Sequence, residues 1–199
     1  MKKYSIILLI FILNSCDEEP VFISEFNCGV ESFSNLEKIE DVKKLFTVQY
    51  PDTWKTNLYY DKNQSSIYTA DTTKQLKETM LLDITHISNQ LKFDANFTKK
   101  FNSNLLKQQL EENSSGTLTF KDKEAYYSLA TGIKRTFKDK EAYYSLATGI
   151  KRTFKYHILT LFIKLDEKNY INSTIEVFGD SLVNQRICKG INLVEKITY

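Results

Sequence analysis

Hydrophobic residues along the chain recur at two periods, and the changes between them mark out elements. Leu36, Ile39, Val42 and Leu45 are spaced by three, which predicts a short helix over Ser34–Leu45. Phe46, Val48 and Tyr50 alternate with polar residues and predict a strand that Pro51 stops. Trp54–Tyr60, Ser66–Thr69 and Met80–Ile87 read as three more strands, with a charged stretch from Asp71 to Glu78 before the last. Phe97, Phe101, Leu105, Leu106 and Leu110 then fall on one face at helical spacing. Asp94 is placed to cap that helix, and Asn113-Ser-Ser-Gly116 is expected to end it. From Thr117 to Val177 the chain is rich in Tyr, Ile, Thr and Phe and reads as β, with a turn at Asp166–Asn169. A final helix is expected, capped by Asp180 or Ser181, with Leu182, Ile187, Ile191 and Val194 facing inward.

One segment repeats. Residues 119–135, TFKDKEAYYSLATGIKR, recur letter for letter at 136–152. Solenoid repeats diverge and need about three units or more. Two perfect copies mean a recent tandem duplication, an engineered one, or an error in assembling the gene sequence. The unit reads as strand, turn, strand, turn, with turns at Lys-Asp-Lys and at Thr-Gly. A whole inserted hairpin preserves the direction of every later strand, so two extra strands or a protruding hairpin are expected. The two copies are expected to compete for one register, since both present the same alternation. For function the repeat reads as neutral.

The N-terminus reads MKKYSIILLIFILNSC. Two lysines precede an apolar run from Ile6 to Leu13, too short to span a bilayer as a helix but of the length a secretory signal needs. Leu13-Asn14-Ser15-Cys16 resembles the bacterial lipobox, which implies cleavage after residue 15 and lipidation of Cys16. The acidic run Asp17-Glu18-Glu19 resembles the surface-export signal of Bacteroidetes lipoproteins. An outer-membrane, cell-surface lipoprotein is therefore expected, held to the membrane by its acyl chains at about 0.8 kcal/mol per buried methylene. Residues 16–31 read as the tether and 32–199 as a single domain. No later segment is long and apolar enough to cross a membrane.

The chain has 199 residues, 42% of them hydrophobic and 26% charged, which excludes a disordered chain. Without Lys2 and Lys3 of the leader, 25 basic and 25 acidic residues remain. A net charge of zero excludes nucleic-acid binding through a broad basic face. With Cys16 lipidated, Cys28 and Cys188 are left in an oxidising compartment, either as a disulfide or as two buried thiols. There is no Cys-x-x-Cys and no cluster of Cys and His, so no metal or other cofactor is expected. His86 and His157 both sit in apolar strands and read as structural. Asp83 lies three positions from His86, hence on the opposite strand face. No nucleophile elbow, zinc-protease helix or phosphate loop occurs, and no catalytic residue is assigned. Tyr59-Tyr60, Tyr126-Tyr127 and Tyr143-Tyr144 place adjacent rings on opposite strand faces. Trp54, Tyr59 and Tyr60 are the candidate binding surface.

Phe46-x-Val48-x-Tyr50-Pro51-x-x-Trp54 resembles the start of PsbP-like domains, where a strand ends in Tyr-Pro and a Trp follows. The later order of strands, one amphipathic helix, antiparallel strands and a C-terminal helix is similar to that family over roughly residues 33–197. The resemblance implies an α+β fold, a central antiparallel sheet between helices, with no catalytic residues. It implies a non-enzymatic binding or scaffolding role, here toward another envelope protein. A small-ligand or glycan-binding surface is the alternative, and a hydrolase with an unrecognised site a second one.

Overall fold

The computed structural model describes residues 21–136 and 152–199. The leader, Cys16, Asp17–Glu19 and nearly all of the second repeat copy lie outside the described residues.

Among the described residues there are two sheets, both fully antiparallel. β1 (Leu36–Glu40) and β2 (Thr47–Pro51) form a two-stranded ribbon. β3 (Lys55–Tyr60), β4 (Gln64–Ala70), β5 (Met80–Ser88), β6 (Leu110–Phe120), β7 (Lys123–Thr136), β8 (Arg152–Lys164) and β9 (Asn169–Phe178) form the main sheet. Its order is β3-β4-β5-β9-β8-β7-β6. Within this sheet every strand pairs with its sequence neighbour except β5 and β6. After β5 the chain crosses through α2 (Ala95–Lys107) to the far edge, and the return β6-β7-β8-β9 fills the sheet back to β5.

Strand alternation gives the sheet two faces. The inner face carries Ile67, Leu82, Ile84, Ala125, Leu159, Leu161, Ile163, Ile171, Ile175 and Val177, all buried. It is covered by α1 (Val21–Glu25), α3 (Val183–Val194) and the ribbon, which contribute Phe22, Ile23, Val48, Tyr50, Ile187, Ile191 and Val194 to one core. At about 25 cal/mol per Å² of apolar area removed from water, this core is the main source of stability. Helix α3 lies close on β9. A Cβ at Gly190 would stand 2.6 Å from Ile175 Cγ2. On the outer face α2 packs Phe97 and Phe101 edge-on against Tyr126 and Phe162, and its Leu105 joins a cluster that reaches Phe178 of β9 and Leu81 of β5.

Three contacts close the core side. Cys28 and Cys188 are joined in a disulfide across a separation of 160 residues. Thr47 and Thr198 exchange backbone hydrogen bonds of 2.8 and 3.0 Å, tying the C-terminus to the ribbon. The Arg186 guanidinium donates to the carbonyls of Thr79 (3.0 Å), Phe178 (2.7 Å) and Ser181, fastening α3 to the ends of β5 and β9.

Several local expectations are corrected. Ser34–Leu45 is not a helix. Leu36 and Ile39 belong to β1, paired with Pro51 and Val48 of the ribbon. Residues 21–28 are folded rather than a free tether, because Phe22 and Ile23 are 1% and 2% exposed and Cys28 is bonded. Asn113–Gly116 lies inside β6, an edge strand with an irregularity between Glu112 and Ser114, where polar side chains stay in water. Thr131-Gly132 is not a turn either, and β7 runs straight through it. Glycine is required there for close approach, since a Cβ would stand 2.7 Å from Leu110 Cδ2. The Lys121-Asp122 turn does form, with φ of 47° and 63° as a two-residue hairpin demands. Neither Asp180 nor Ser181 caps α3. Leu182 stands at its N-cap with φ 50°, and its side chain is exposed rather than inward.

Candidate functional site

The three residues expected to form one binding surface do not meet. Trp54 is 7% exposed and belongs to the inner core, where its ring stacks on Tyr50 and carries Lys189 Nζ 5.5 Å above it. Tyr59 and Tyr60 are 57% and 66% exposed but point to opposite sides of β3. Tyr60 stands with Leu58 on the inner side, beyond the reach of the core. Tyr59 stands on the outer side.

On that outer side the register assembles a surface from strands that are distant in sequence. Tyr59 is opposite Ser66, Ser66 opposite Thr85, and Thr85 opposite Asn172. The next row runs Asn57, Tyr68, Asp83, Thr174. A third runs Ala70, Leu81, Glu176. Helix α2 directs its rings onto Tyr126 and Phe162, and on this half of the face Tyr59 is exposed, Tyr68, Asp83 and Glu176 are half-buried, and Ser66 and Thr85 are buried. Sequence reading found Tyr59 only. Tyr68, Asp83 and Glu176 carry the same alternation signal, but they sit on three strands whose adjacency depends on the crossover through α2.

The open half is polar but partly dehydrated. The Thr85 hydroxyl lies 2.9 Å from Asp83 Oδ1 and 2.8 Å from Ser66 Oγ, an internal ladder between strands. Burial raises the Asp83 carboxyl above its ordinary value, and nearby Glu176 adds to the effect. Tyr68 is raised for the same reason, first by burial and then by Glu176, Asp83 and Tyr59. Asn172 Oδ1 is buried without a hydrogen-bond partner. Aromatic rings, hydroxyls and two carboxylates on a rigid sheet suit recognition of a polar partner.

The histidines lie elsewhere. His86 is on the inner face, 6% exposed, opposite Ser65 and away from Asp83. Burial lowers its basicity, against the attraction of Asp41 and Asp166. His157 Nδ1 is 3.1 Å from Thr131 Oγ1, and its Nε2 is 4.0 Å from Asp180 Oδ1. The order hydroxyl, imidazole, carboxylate invites comparison with a catalytic triad. However, Thr131 also bonds Asn113 Oδ1 at 2.7 Å, and 4.0 Å exceeds a hydrogen bond. Burial, the first cause, also lowers the basicity of His157. This group laces β6, β7 and β8 together. Among the described residues no group of three His, Cys, Asp or Glu is placed to hold a metal, and no helix is long and apolar enough to cross a membrane.

Neither a protein-family model nor a curated protein matches the sequence. Solved structures do match. The cyanobacterial PsbP of Synechocystis superposes with a TM-score of 0.52 at 12% identity, covering 86% of this chain and 96% of its own. The Ran-binding protein Mog1p of Saccharomyces cerevisiae superposes with a TM-score of 0.51 at 12% identity, covering 83% of this chain and 96% of its own. The antiparallel sheet between helices, read first from Tyr50-Pro51 and the helix at Phe97, is thus the PsbP-like fold that both proteins share.

Proposed function

We propose that this chain is a non-enzymatic binding protein of the bacterial envelope, anchored through a lipidated Cys16 in the outer membrane, that docks another envelope protein. The observation that carries the reading is the open outer face of β3, β4, β5 and β9. Tyr59, Tyr68, Asp83 and Thr85 stand there in register beside the part that α2 covers. The lipobox-like Leu13-Asn14-Ser15-Cys16 and the acidic residues after it support the address. A fold shared with a protein named for binding Ran supports the role by analogy alone.

The test is cross-linking in intact cells, purification through a C-terminal tag, and mass spectrometry of what accompanies the chain. A dominant envelope partner is expected. It should be lost when Tyr59 and Tyr68 are both replaced by Ala with the melting temperature unchanged. Retention of the partner by that variant would remove this face from the reading. Absence of any partner, with thermal stabilisation by a glycan or small ligand, would replace the protein-docking role by the ligand-binding one.

A further inference from the structure

The main sheet ends in two edges of opposite character. β6 carries Glu111 and Glu112, breaks its register between Glu112 and Ser114, and has α1 and α2 lying against it. Charge, irregularity and a covering element are the devices that keep an edge strand from pairing further. At the other edge β3 has β4 as its one neighbour in the sheet among the described residues. No charge, proline or bulge interrupts Thr56-Asn57-Leu58-Tyr59-Tyr60. Leu58, Tyr59 and Tyr60 are 43%, 57% and 66% exposed.

The β3–β4 hairpin fixes which backbone groups of this edge are free. The Asp61 N–H donates to the Gln64 carbonyl at 3.0 Å, so Asp61, Tyr59, Asn57 and Lys55 turn their N–H and C=O toward β4. Thr56, Leu58 and Tyr60 alternate with them and turn theirs outward. That outward row is self-complementary. A two-fold axis through Leu58 sets a second copy antiparallel, with Leu58 opposite Leu58, Thr56 opposite Tyr60, Asn57 opposite Tyr59 and Lys55 opposite Asp61. The hydrogen-bonded pairs of this register are the residues whose backbone groups point outward. Lys55 and Asp61 are exposed, and opposite charges facing each other across strands attract. Asp61 Oδ1 accepts from the N–H groups of Asn63 and Gln64 at 2.7 and 3.0 Å, which holds the carboxylate at the strand end. We propose that the chain forms a two-fold dimer by pairing β3 with β3 of a second copy, Lys55 of each facing Asp61 of the other. The main sheet then runs unbroken across the axis, with both outer faces on the same side. This goes beyond the docking role and does not depend on it. A six-residue strand buries less than the roughly 800 Å² per partner of a standard interface, so the dimer is a weak one, with a dissociation constant on the order of micromolar.

The test combines sedimentation velocity of the full chain, from below to well above about 10 μM, with oxidative trapping of Leu58→Cys in intact cells. The parent should pass from monomer to dimer over that range. Leu58→Cys should yield a disulfide-linked dimer beyond any formed by the parent, because Cα atoms directly opposed in a hydrogen-bonded pair stand about 5.5 Å apart. Leu106→Cys, on α2 and 75% exposed, should not be trapped. Leu58→Lys sets two like charges face to face. It should raise the dissociation constant about tenfold or more while keeping the parent's melting temperature. Tyr68→Ala alters the candidate face away from the edge and should leave the dimer intact, so loss of docking and loss of dimerisation are told apart. A parent that stays monomeric throughout, or a dimer unchanged by Leu58→Lys, would overturn the pairing. Should Leu58→Lys fail to fold, the trap decides alone: a linked dimer at Leu58→Cys and none at Leu106→Cys supports the pairing, and equal trapping or none overturns it. Capture of a different envelope protein by Leu58→Cys would assign the edge to a foreign strand and overturn the two-fold dimer.

Discussion

Asp83 is the residue at which the open face departs most from an ordinary surface. Its carboxyl is half-dehydrated between strands, and burial raises its protonation equilibrium in the folded state. A raised acid contributes stability that is present below its unfolded value and lost as pH rises through the folded one. At neutral pH the ionised Asp83 therefore works against folding. Asp83→Asn keeps an acceptor for Thr85 and removes that charge. The variant should melt above the parent at pH 7, and the difference should vanish as the pH falls toward about 4, the ordinary carboxylate range. A variant less stable than the parent by the same amount at both pH values would assign Asp83 a structural bond instead. The face holds this charge at a cost.

Helix α2 is the element on which sequence and structure agree best. Asp94 Oδ1 accepts from the Phe97 N–H at 2.9 Å, as its position before the apolar stripe implies. Asp94→Ala should destabilise the protein by about 1 kcal/mol in urea unfolding, with the α2 amides exchanging first. No change would mean that the ring contacts alone hold the helix. Phe97, Phe101 and Leu105 were legible as one helical stripe, but Leu106 is exposed rather than inward and Leu110 opens β6 instead of ending the helix. Leu36, Ile39, Val42 and Leu45 were too few to decide between periods; the first two belong to a ribbon whose partners lie 7–15 residues away, and the last two to the segment that joins its strands. Gly116 and Gly132 looked like punctuation, whereas both lie within strands. The latter is there because Leu110 presses on the backbone. The candidate face was legible at Tyr59 alone, for its remaining parts meet only once β9 has inserted beside β5.

For the molecule as a whole, the disulfide matters more than any single hydrogen bond. It links α1, the first described element, to α3, the last, and so spans nearly the entire fold. Constraint of so long a loop is worth about 2–5 kcal/mol. Replacing Cys28 and Cys188 by Ser should lower the urea midpoint accordingly, and reduction of the parent should match the variant. A midpoint unaffected by either would mean that the packing of Phe22 and Ile23 holds α1 without the bond.

The same bond turns the chain into a closed ring with two tails. Cys28 lies before the duplicated segment and Cys188 after it. A single cut anywhere in the repeat opens the ring without dividing the molecule. The N-terminal and C-terminal halves then remain one covalent body. A nick between Cys28 and Cys188 would therefore release no fragment while the disulfide holds.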